Sequence, residues 1–201
     1  REALARSLNV PAVDLLARLG VAPTVERLRG FGIRSIRGRG DRFGLSMGLG
    51  GVEVTLLEMV EAYAALGRCG KHRALSFRED DPPAPQAEAL LETAALQVAE
   101  ILEGVAWPAG EREAGLKLPR VAVKTGTSFG FRDAWAVAFT PLWTVGVWFG
   151  NFDGQPSRAL TGQSAAVPAA LVLLRRLQSD GGPWFRPPPK DGGPQGQGGQ
   201  P

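Results

Sequence analysis

The sequence has very few of the residues on which several common enzyme mechanisms depend. It contains one cysteine and one histidine among 201 residues. The single cysteine, Cys69, excludes a disulfide framework within the chain and a cysteine-based metal site. The single histidine, His72, lies in a polar connector at 70–73, where we expect an ordinary exposed side chain. The composition therefore disfavours a Ser-His-Asp enzyme, and it predicts neither a metal nor a cofactor.

Long apolar runs and a strong charge are also absent. No segment approaches the length of a membrane span, and the first residues resemble neither a signal peptide nor an initiator methionine, so we expect the chain to be cut from a longer protein. The net charge is +3, and the basic residues are not interleaved with aromatic ones, which argues against nucleic-acid binding. The length and the 44% hydrophobic content suit one globular domain.

The end of the sequence differs in composition from the rest. Residues 181–201 are rich in glycine, proline and glutamine and hold few apolar side chains. Such a segment cannot bury enough surface to order itself. We predict a folded domain over 1–180 and a disordered linker or tail over 181–201.

The most informative stretch is an apolar strand pattern at 121–128 that ends in a cation, a glycine and three hydroxyls. Lys124 supplies a positive charge, and Gly126 lacks the Cβ that would keep a substrate backbone away from the strand edge. The hydroxyl donors are those of Thr125, Thr127 and Ser128. Such a strand end is an anion-binding platform, and chemistry on a peptide that carries a carboxylate is its natural use.

Two further runs of β-branched and aromatic residues follow the lysine strand, at 132–139 and 143–149. A turn signal at 140–141 parts them. They predict an antiparallel three-stranded meander with the lysine strand at one side and a hairpin loop at 129–131.

Helical periodicity covers much of the remaining chain. Thr55 and Glu58 form the capping-box pattern at the start of one helix. A polar loop at 107–119 leads to the lysine strand. The predicted helices are two short ones within 2–20, followed by 24–31, 55–66, 87–105 and 164–177. The fold class is therefore α+β, of the α/β-sandwich type, with helices flanking an antiparallel sheet.

A hydroxyl and an amide stand two positions apart in Ser7-Leu8-Asn9, between the two short N-terminal helices. With Pro11 restricting the backbone, both side chains can point into one cleft. The alternative is that Ser7 or Asn9 only caps a helix that starts at Pro11. Taken alone, these residues favour the cap.

Ser7-Leu8-Asn9, followed by Lys124-Thr125-Gly126-Thr127 on a strand, resembles two of the three signature motifs of penicillin-binding proteins and serine β-lactamases. Further blocks are similar in order and spacing to the transpeptidase domain of the bifunctional class A penicillin-binding proteins. These blocks lie at 9–13, 43–46, 49–55, 62–66, 127–135 and 160–162. The resemblance implies a β-lactamase/transpeptidase-like fold that is incomplete at its N-terminus.

The third signature motif, Ser-x-x-Lys, is missing, since no serine of the sequence has a lysine three positions later. In the family this motif precedes Ser-x-Asn and carries the nucleophile. We therefore expect the nucleophilic serine and its lysine upstream of Arg1, together with a glycosyltransferase domain and a membrane anchor. We also expect the chain alone to be inactive.

The resemblance implies a role for each of the quoted residues in a serine D,D-transpeptidase. Lys124, Thr125 and Thr127 would bind the carboxylate of the substrate, and the backbone N–H of Thr127 would form half of the oxyanion hole. Ser7 would relay protons to the leaving group, and Asn9 would hold the substrate amide. Three further residues would contact the substrate: Gly126, Ser128 and Arg132.

The same resemblance implies peptidoglycan stem peptides ending in D-Ala-D-Ala and β-lactams as partners, at the periplasmic face of the bacterial inner membrane. Two alternatives remain open. One is a hydrolase, either a carboxypeptidase or a β-lactamase. The other is a penicillin sensor or docking module that has the fold but turns nothing over.

Overall fold

The computed structural model describes residues 1–38, 40, 43–103, 120–157, 160–179 and 182–186. The fold is α+β, as predicted. The helices are α1 (Glu2–Ala5), α2 (Asn9–Leu19), α3 (Val21–Gly30), α4 (Leu56–Gly67), α5 (Glu92–Glu103) and α6 (Val167–Leu177). The strands are β1 (Lys71–His72), β2 (Ala87–Glu88), β3 (Ala122–Thr127), β4 (Asp133–Phe139) and β5 (Thr144–Gly150). Two further short elements are a 3₁₀ turn at Leu45–Leu49 and a π-type turn at Gly162–Ala166.

The predicted meander is confirmed. Strands β3, β4 and β5 form an antiparallel sheet in that order, so the lysine strand lies at an edge of the sheet that the described residues form. The register pairs Lys124 with Val137, and Gly126 with Trp135. The hairpin between β3 and β4 turns through Gly130 and Phe131, whose φ angles are +77° and +57°. A glycine takes the first of these left-handed positions at no steric cost.

Helices cover both faces of the sheet. On one face, Val121 and Val123 pack with α6 in a fully apolar cluster. On the other face, Ala122 and Phe139 pack against Leu102 of α5. Because side chains alternate along a strand, this division assigns odd-numbered residues of β3 to the α6 face and even-numbered ones to the α5 face.

Close packing of α4 on the sheet depends on a glycine. A Cβ placed on Gly146 of β5 would lie 2.5 Å from Val60 Cγ2 and 3.0 Å from Leu56 Cδ1. The first distance is shorter than real Cβ contacts and the second is tight, so a larger residue here would push α4 or its side chains away from the sheet.

The capping box at the start of α4 is confirmed, and it extends into a tertiary anchor. Glu58 N–H donates to Thr55 Oγ1 at 3.2 Å, and Thr55 N–H donates to the Glu58 carboxylate at 3.0 Å. The same carboxylate accepts the backbone N–H groups of Arg34 and Ser35, both at 2.7 Å. Burial raises the pKa of Glu58, but these hydrogen bonds and that of the Ser35 hydroxyl outweigh it, and the pKa falls to about 2.

Two predicted helix bounds are wrong. The helix predicted at 87–105 begins only at Glu92, because Ala87 and Glu88 pair with β1 as strand β2. The helix predicted at 24–31 begins at Val21, three residues earlier. The Thr24 hydroxyl donates to Gly20 O within the first turn of this helix. The loop predicted at 107–119 lies outside the described residues.

The prediction of an exposed His72 is also wrong. Its side chain is 16% exposed, and its Nε2 lies 2.7 Å from Oε1 of Glu61, which is 3% exposed. Arg34 also contacts this carboxylate, at 2.8 Å. The histidine is therefore a partner of a buried carboxylate and ties β1 to α4, because a buried carboxylate requires partners.

Part of the segment assigned to the tail is packed. Trp184 and Phe185 lie against the cluster that contains Phe139, and the Phe139 and Phe185 rings meet edge to face at 6.3 Å. The Arg120 guanidinium lies 4.6 Å from the centre of a Trp184 ring. These two aromatic side chains bury apolar surface against the domain, which the average composition of the glycine- and proline-rich stretch does not indicate. The domain boundary at 180 stays a prediction.

Candidate active site

The structure brings Ser7 and Lys124 into direct contact across the fold. The Lys124 ammonium donates a hydrogen bond to Ser7 Oγ, although 117 positions separate the two residues. Ser7 follows α1, and Lys124 lies in the middle of the edge strand β3. The fold therefore brings these two distant side chains together.

The backbone at Ser7 has an uncommon conformation, and the helix that follows has no side-chain cap. Ser7 has φ of +53°, a left-handed conformation that is uncommon for a residue with a side chain. Helix α2 starts at Asn9 with Leu8 as its N-cap, and no side chain caps it. The alternative that Ser7 or Asn9 only caps this helix is therefore wrong. Asn9 is exposed in the first turn of α2, two positions from the serine that contacts Lys124.

The Lys124 ammonium is half-buried and lacks a carboxylate among its hydrogen-bond partners in the described part of the chain. Its Nζ donates to Thr125 O at 2.9 Å and to the Ser7 hydroxyl. Burial lowers the pKa of Lys124, because the charged form loses hydration that these neutral oxygens only partly replace. The ammonium is thus a stronger acid than an exposed lysine, and it is directed at one hydroxyl.

The backbone of β3 offers hydrogen-bonding groups at its free edge. Ser128 N–H donates to Asp133 O at 3.0 Å, toward β4. Consecutive residues of an edge strand direct their N–H and C=O groups to opposite sides, so those of Thr125 and Thr127 point away from β4. Among the described residues β3 has only β4 as a partner. An extended peptide could therefore pair with this edge beside Lys124.

Gly126 lies between these two edge-facing residues, and the fold itself does not require a glycine there. A Cβ placed on it would lie 3.4 Å from Trp135 Cβ, an ordinary contact. Its absence leaves room on the Lys124 face of the strand, where a ligand could approach the backbone.

Two of the threonines predicted to bind substrate, Thr125 and Thr127, lie on the face of β3 opposite to Lys124. Thr127 lies on the α6 face, and its Oγ1 accepts the N–H of Gly162 at 3.0 Å. The Ser128 hydroxyl accepts the N–H of Asp133 at 2.8 Å and so closes the hairpin. Each hydroxyl keeps its own hydrogen for donation. Their substrate-binding roles stay predictions, as does that of Thr125.

Arg132 lies far from the Ser7–Lys124 contact. It is exposed and precedes β4, five positions along the strand from Val137, which pairs with Lys124. At the usual rise per residue this separation is about 17 Å between backbones. Arg132 could therefore meet only a distal part of a long ligand.

Comparisons with known proteins decide the family. The family profile described as "Penicillin binding protein transpeptidase domain" matches residues 1–166. The chain belongs to this family. Among its relatives, penicillin-binding protein 1C of Escherichia coli (strain K12) is 38% identical over 170 residues, which are 83% of this chain and 21% of that protein. Penicillin-binding protein 1A of Aquifex aeolicus (strain VF5) is 31% identical over 187 residues, which are 87% of this chain and 25% of that protein.

A solved structure supports the same fold for this penicillin-binding domain. Penicillin-binding protein 1A from Haemophilus influenzae superimposes with a TM-score of 0.72 at 20% identity, over 92% of this chain and 35% of that one. The predicted resemblance to class A penicillin-binding proteins is therefore confirmed. The chain spans about a fifth to a quarter of the length of the two curated relatives.

The described part of this transpeptidase domain has no group of His, Cys, Asp and Glu residues that could hold a metal ion. No helix in that part is both long and apolar enough to cross a membrane. One residue of the site that sequence reasoning did not single out is Gly162, whose N–H contacts Thr127. Its signal was faint, because Thr161-Gly162 entered only as a block of resemblance.

Proposed function

We propose that this chain is part of a serine D,D-transpeptidase that cross-links peptidoglycan stem peptides by acyl transfer. The observation that carries the proposal is the contact between Lys124 and Ser7 at the free edge of β3. Burying half of an ammonium without a carboxylate partner costs desolvation free energy, which a purely structural role does not explain. The same arrangement suits proton transfer beside a bound peptide.

The proposed reaction begins when the oxygen of a serine bonds to the carbonyl carbon of the penultimate D-alanine, while the hydroxyl proton of that serine passes to a neighbouring base that can supply it for the later protonation of the leaving nitrogen. The bond from that carbon to the nitrogen of the terminal D-alanine then breaks, and a proton passes to the leaving nitrogen. An acceptor amine next bonds to the acyl carbon and releases a proton, and the serine oxygen leaves with a proton. No serine of this chain stands in a Ser-x-x-Lys motif, so we propose that another part of the complete protein supplies the nucleophile.

Ser7 is suited to deliver the proton to the leaving nitrogen. Its oxygen accepts a hydrogen bond from Lys124, so its own hydrogen is free to point at another atom. As Ser7 releases that hydrogen, Lys124 replaces it, and the lowered pKa of the lysine favours this step. Asn9, exposed in the next turn, would hold the substrate amide.

The free edge of β3 is suited to bind the substrate chain. A peptide that pairs with this edge would meet the backbone groups of Thr125 and Thr127, while Lys124 would attract its terminal carboxylate. The N–H of Thr127 would stabilise the negative charge that develops on the carbonyl oxygen. β-Lactams, which carry a carboxylate and a reactive carbonyl, would occupy the same edge and acylate the same serine.

One relative's name supports transpeptidation over hydrolysis. The chain is 38% identical over 79 residues to peptidoglycan D,D-transpeptidase FtsI of Escherichia coli (strain K12), which covers 39% of this chain and 13% of that protein. We accordingly propose that the complete protein acts on stem peptides outside the cytoplasm, as a class A penicillin-binding protein.

The test compares this chain with the complete gene product in a fluorescent-penicillin labelling assay read on a denaturing gel. We expect a covalent band only for a protein that contains Ser-x-x-Lys. Ser7→Ala and Lys124→Ala should each weaken that band about a hundredfold, whereas the control Lys71→Ala, an exposed lysine of β1, should not. Labelling of the 201-residue chain alone would mean that the nucleophile is misplaced.

A second measurement separates transpeptidation from hydrolysis. The complete protein is supplied with a stem peptide ending in D-Ala-D-Ala, with and without a peptide amine acceptor, and the products are identified by mass. Transpeptidation predicts a cross-linked product that depends on the acceptor. Release of D-alanine with only the shortened peptide would establish a carboxypeptidase instead.

A further inference from the structure

The turn that starts at Gly162 lies directly on the backbone of the lysine strand. A Cβ placed on Gly162 would lie 2.6 Å from the carbonyl oxygen of Gly126, 2.7 Å from that of Trp135 and 3.1 Å from the nitrogen of Gly126. All three are backbone atoms, which cannot swing aside, and the first two distances are shorter than real Cβ contacts. Gly162 has no left-handed φ, so the reason for a glycine here is space and not backbone conformation.

A hydrogen bond fixes the same two backbones relative to each other. The N–H of Gly162 donates to Thr127 Oγ1 at 3.0 Å. Gly162 thus touches both Gly126 and Thr127, on the face of the sheet opposite to Lys124. Because Gly162 packs on the face opposite to Lys124, it does not contact a peptide bound on the Lys124 side of the edge.

The turn itself is held rigidly. Thr161 Oγ1 accepts the N–H of Ser164 at 3.0 Å, and Thr161 O accepts that of Ala165 at 3.0 Å. Helix α6 continues from the turn, and its residues Val167, Ala170, Leu171 and Leu174 are buried in the apolar cluster against the sheet. The position of Gly162 is therefore set by a packed helix, whereas Thr127 is an exposed residue at the end of its strand.

We propose that Gly162 is a positioning residue for the oxyanion-binding N–H of Thr127. A donor for a developing oxyanion must be held in place before the reaction, and pairing with β4 holds the Thr127 backbone from one side only. The bond from Gly162 to the Thr127 hydroxyl, together with contact on the Gly126 carbonyl, fixes the peptide unit that carries this N–H. The inference rests on the proposed function, since it assigns the Thr127 N–H to acyl transfer.

This arrangement predicts a specific kinetic signature. An N–H that acts on the oxyanion affects the transition state, whereas a hydroxyl that binds the substrate carboxylate affects the preceding complex. Gly162→Ala should therefore lower the rate constant of acylation by β-lactam on the order of 10- to 100-fold, with little change in the dissociation constant of the noncovalent complex.

The experiment measures both constants for the complete gene product with a chromogenic or fluorescent penicillin. Thr127→Val keeps the branched shape but removes the acceptor of the Gly162 N–H, and it should slow the same step. Thr127→Ser restores a hydroxyl acceptor and should recover most of the acylation rate that Thr127→Val loses. The matched control is Gly30→Ala, because no atom lies within 4 Å of a Cβ at that helical glycine.

Each outcome is decisive. If Gly162→Ala does not fold, the comparison of Thr127→Val with Thr127→Ser decides the inference. Unchanged acylation in a folded Gly162→Ala, or a loss confined to the dissociation constant in Thr127→Val, would overturn it while leaving the proposed function intact. No labelling of the unmodified gene product would overturn the proposed function and, with it, this inference.

Discussion

Replacing Lys124 by methionine should separate activity from stability in this domain. Methionine is unbranched and of similar length, so it keeps the packing of the lysine stem while removing the charge. The change deletes the ammonium that contacts Ser7 Oγ and Thr125 O. We expect acylation of the complete gene product to fall about a hundredfold or more, which is a loss of about 2.7 kcal/mol or more in transition-state stabilisation.

The stability of the domain should change much less, because two effects oppose each other. Loss of two hydrogen bonds to neutral oxygens costs about 1 kcal/mol each. The variant also removes a half-buried charge, whose desolvation is the reason that the pKa of Lys124 is lowered. The net change in the free energy of unfolding should stay within about 1 kcal/mol, or a few degrees in Tm.

The pH dependence provides a further check with a definite sign. A lysine whose folded-state pKa lies below its ordinary value of 10.5 binds fewer protons in the folded state, so the unmodified protein gains stability relative to Lys124→Met as the pH rises toward that value. Thermal unfolding and penicillin labelling are measured on the same samples, with Lys71→Met as the exposed control. A fall in Tm as severe as the loss of labelling would mean that Lys124 is a structural residue and would refute the reasoning.

Three further predictions concern stability. Glu58→Gln should lower the free energy of unfolding at neutral pH by about 2 to 3 kcal/mol. Since the folded-state pKa of about 2 lies below the ordinary 4.5, this stabilisation is present above pH 4.5 and disappears as the pH falls through 2. If urea titrations showed the same difference between the two proteins at every pH in this range, the assignment would be wrong. Gly146→Ala should cost about 1 to 3 kcal/mol through its clash with Val60, whereas Gly44→Ala, with no neighbour within 4 Å, should be near neutral in the same denaturation assay. Tyr63, the only tyrosine of this chain, should ionise near pH 12 in the folded chain because of burial and near its ordinary 10 in urea, and an absorbance titration that is the same in both would show that it is exposed.

Local patterns in the sequence were enough for the elements whose cause is local. The capping box of Thr55 and Glu58 depends on residues three positions apart, and the meander depends on alternating strands joined by short turns. The lysine strand could be predicted as an edge for the same reason. The pairing of Ser7 with Lys124 could be anticipated only because the two motifs resemble a family in which they meet.

Two predictions that rested on composition were wrong because contacts outside the local sequence decide the structure there. Ala87 and Glu88 have good helix propensity, but they hydrogen-bond to β1 instead, and no pattern within 87–105 indicates that partner. His72 is polar and lies in a polar connector, yet the buried carboxylate of Glu61 draws it inward. In both cases the deciding partner is distant along the chain.

Periodicity and motifs, taken in order along the chain, were enough to predict the α+β class, the order of the strands, the family and the candidate residues. Which groups those residues touch depends on the three-dimensional fold. In the fold, the Lys124 ammonium donates to Ser7, and the Thr127 hydroxyl accepts the N–H of Gly162. A Cβ at Gly126 would make only an ordinary contact. The physical reason is that contact geometry depends on the face and edge of a strand and on which distant backbone packs there, and neither is encoded within a local window of sequence.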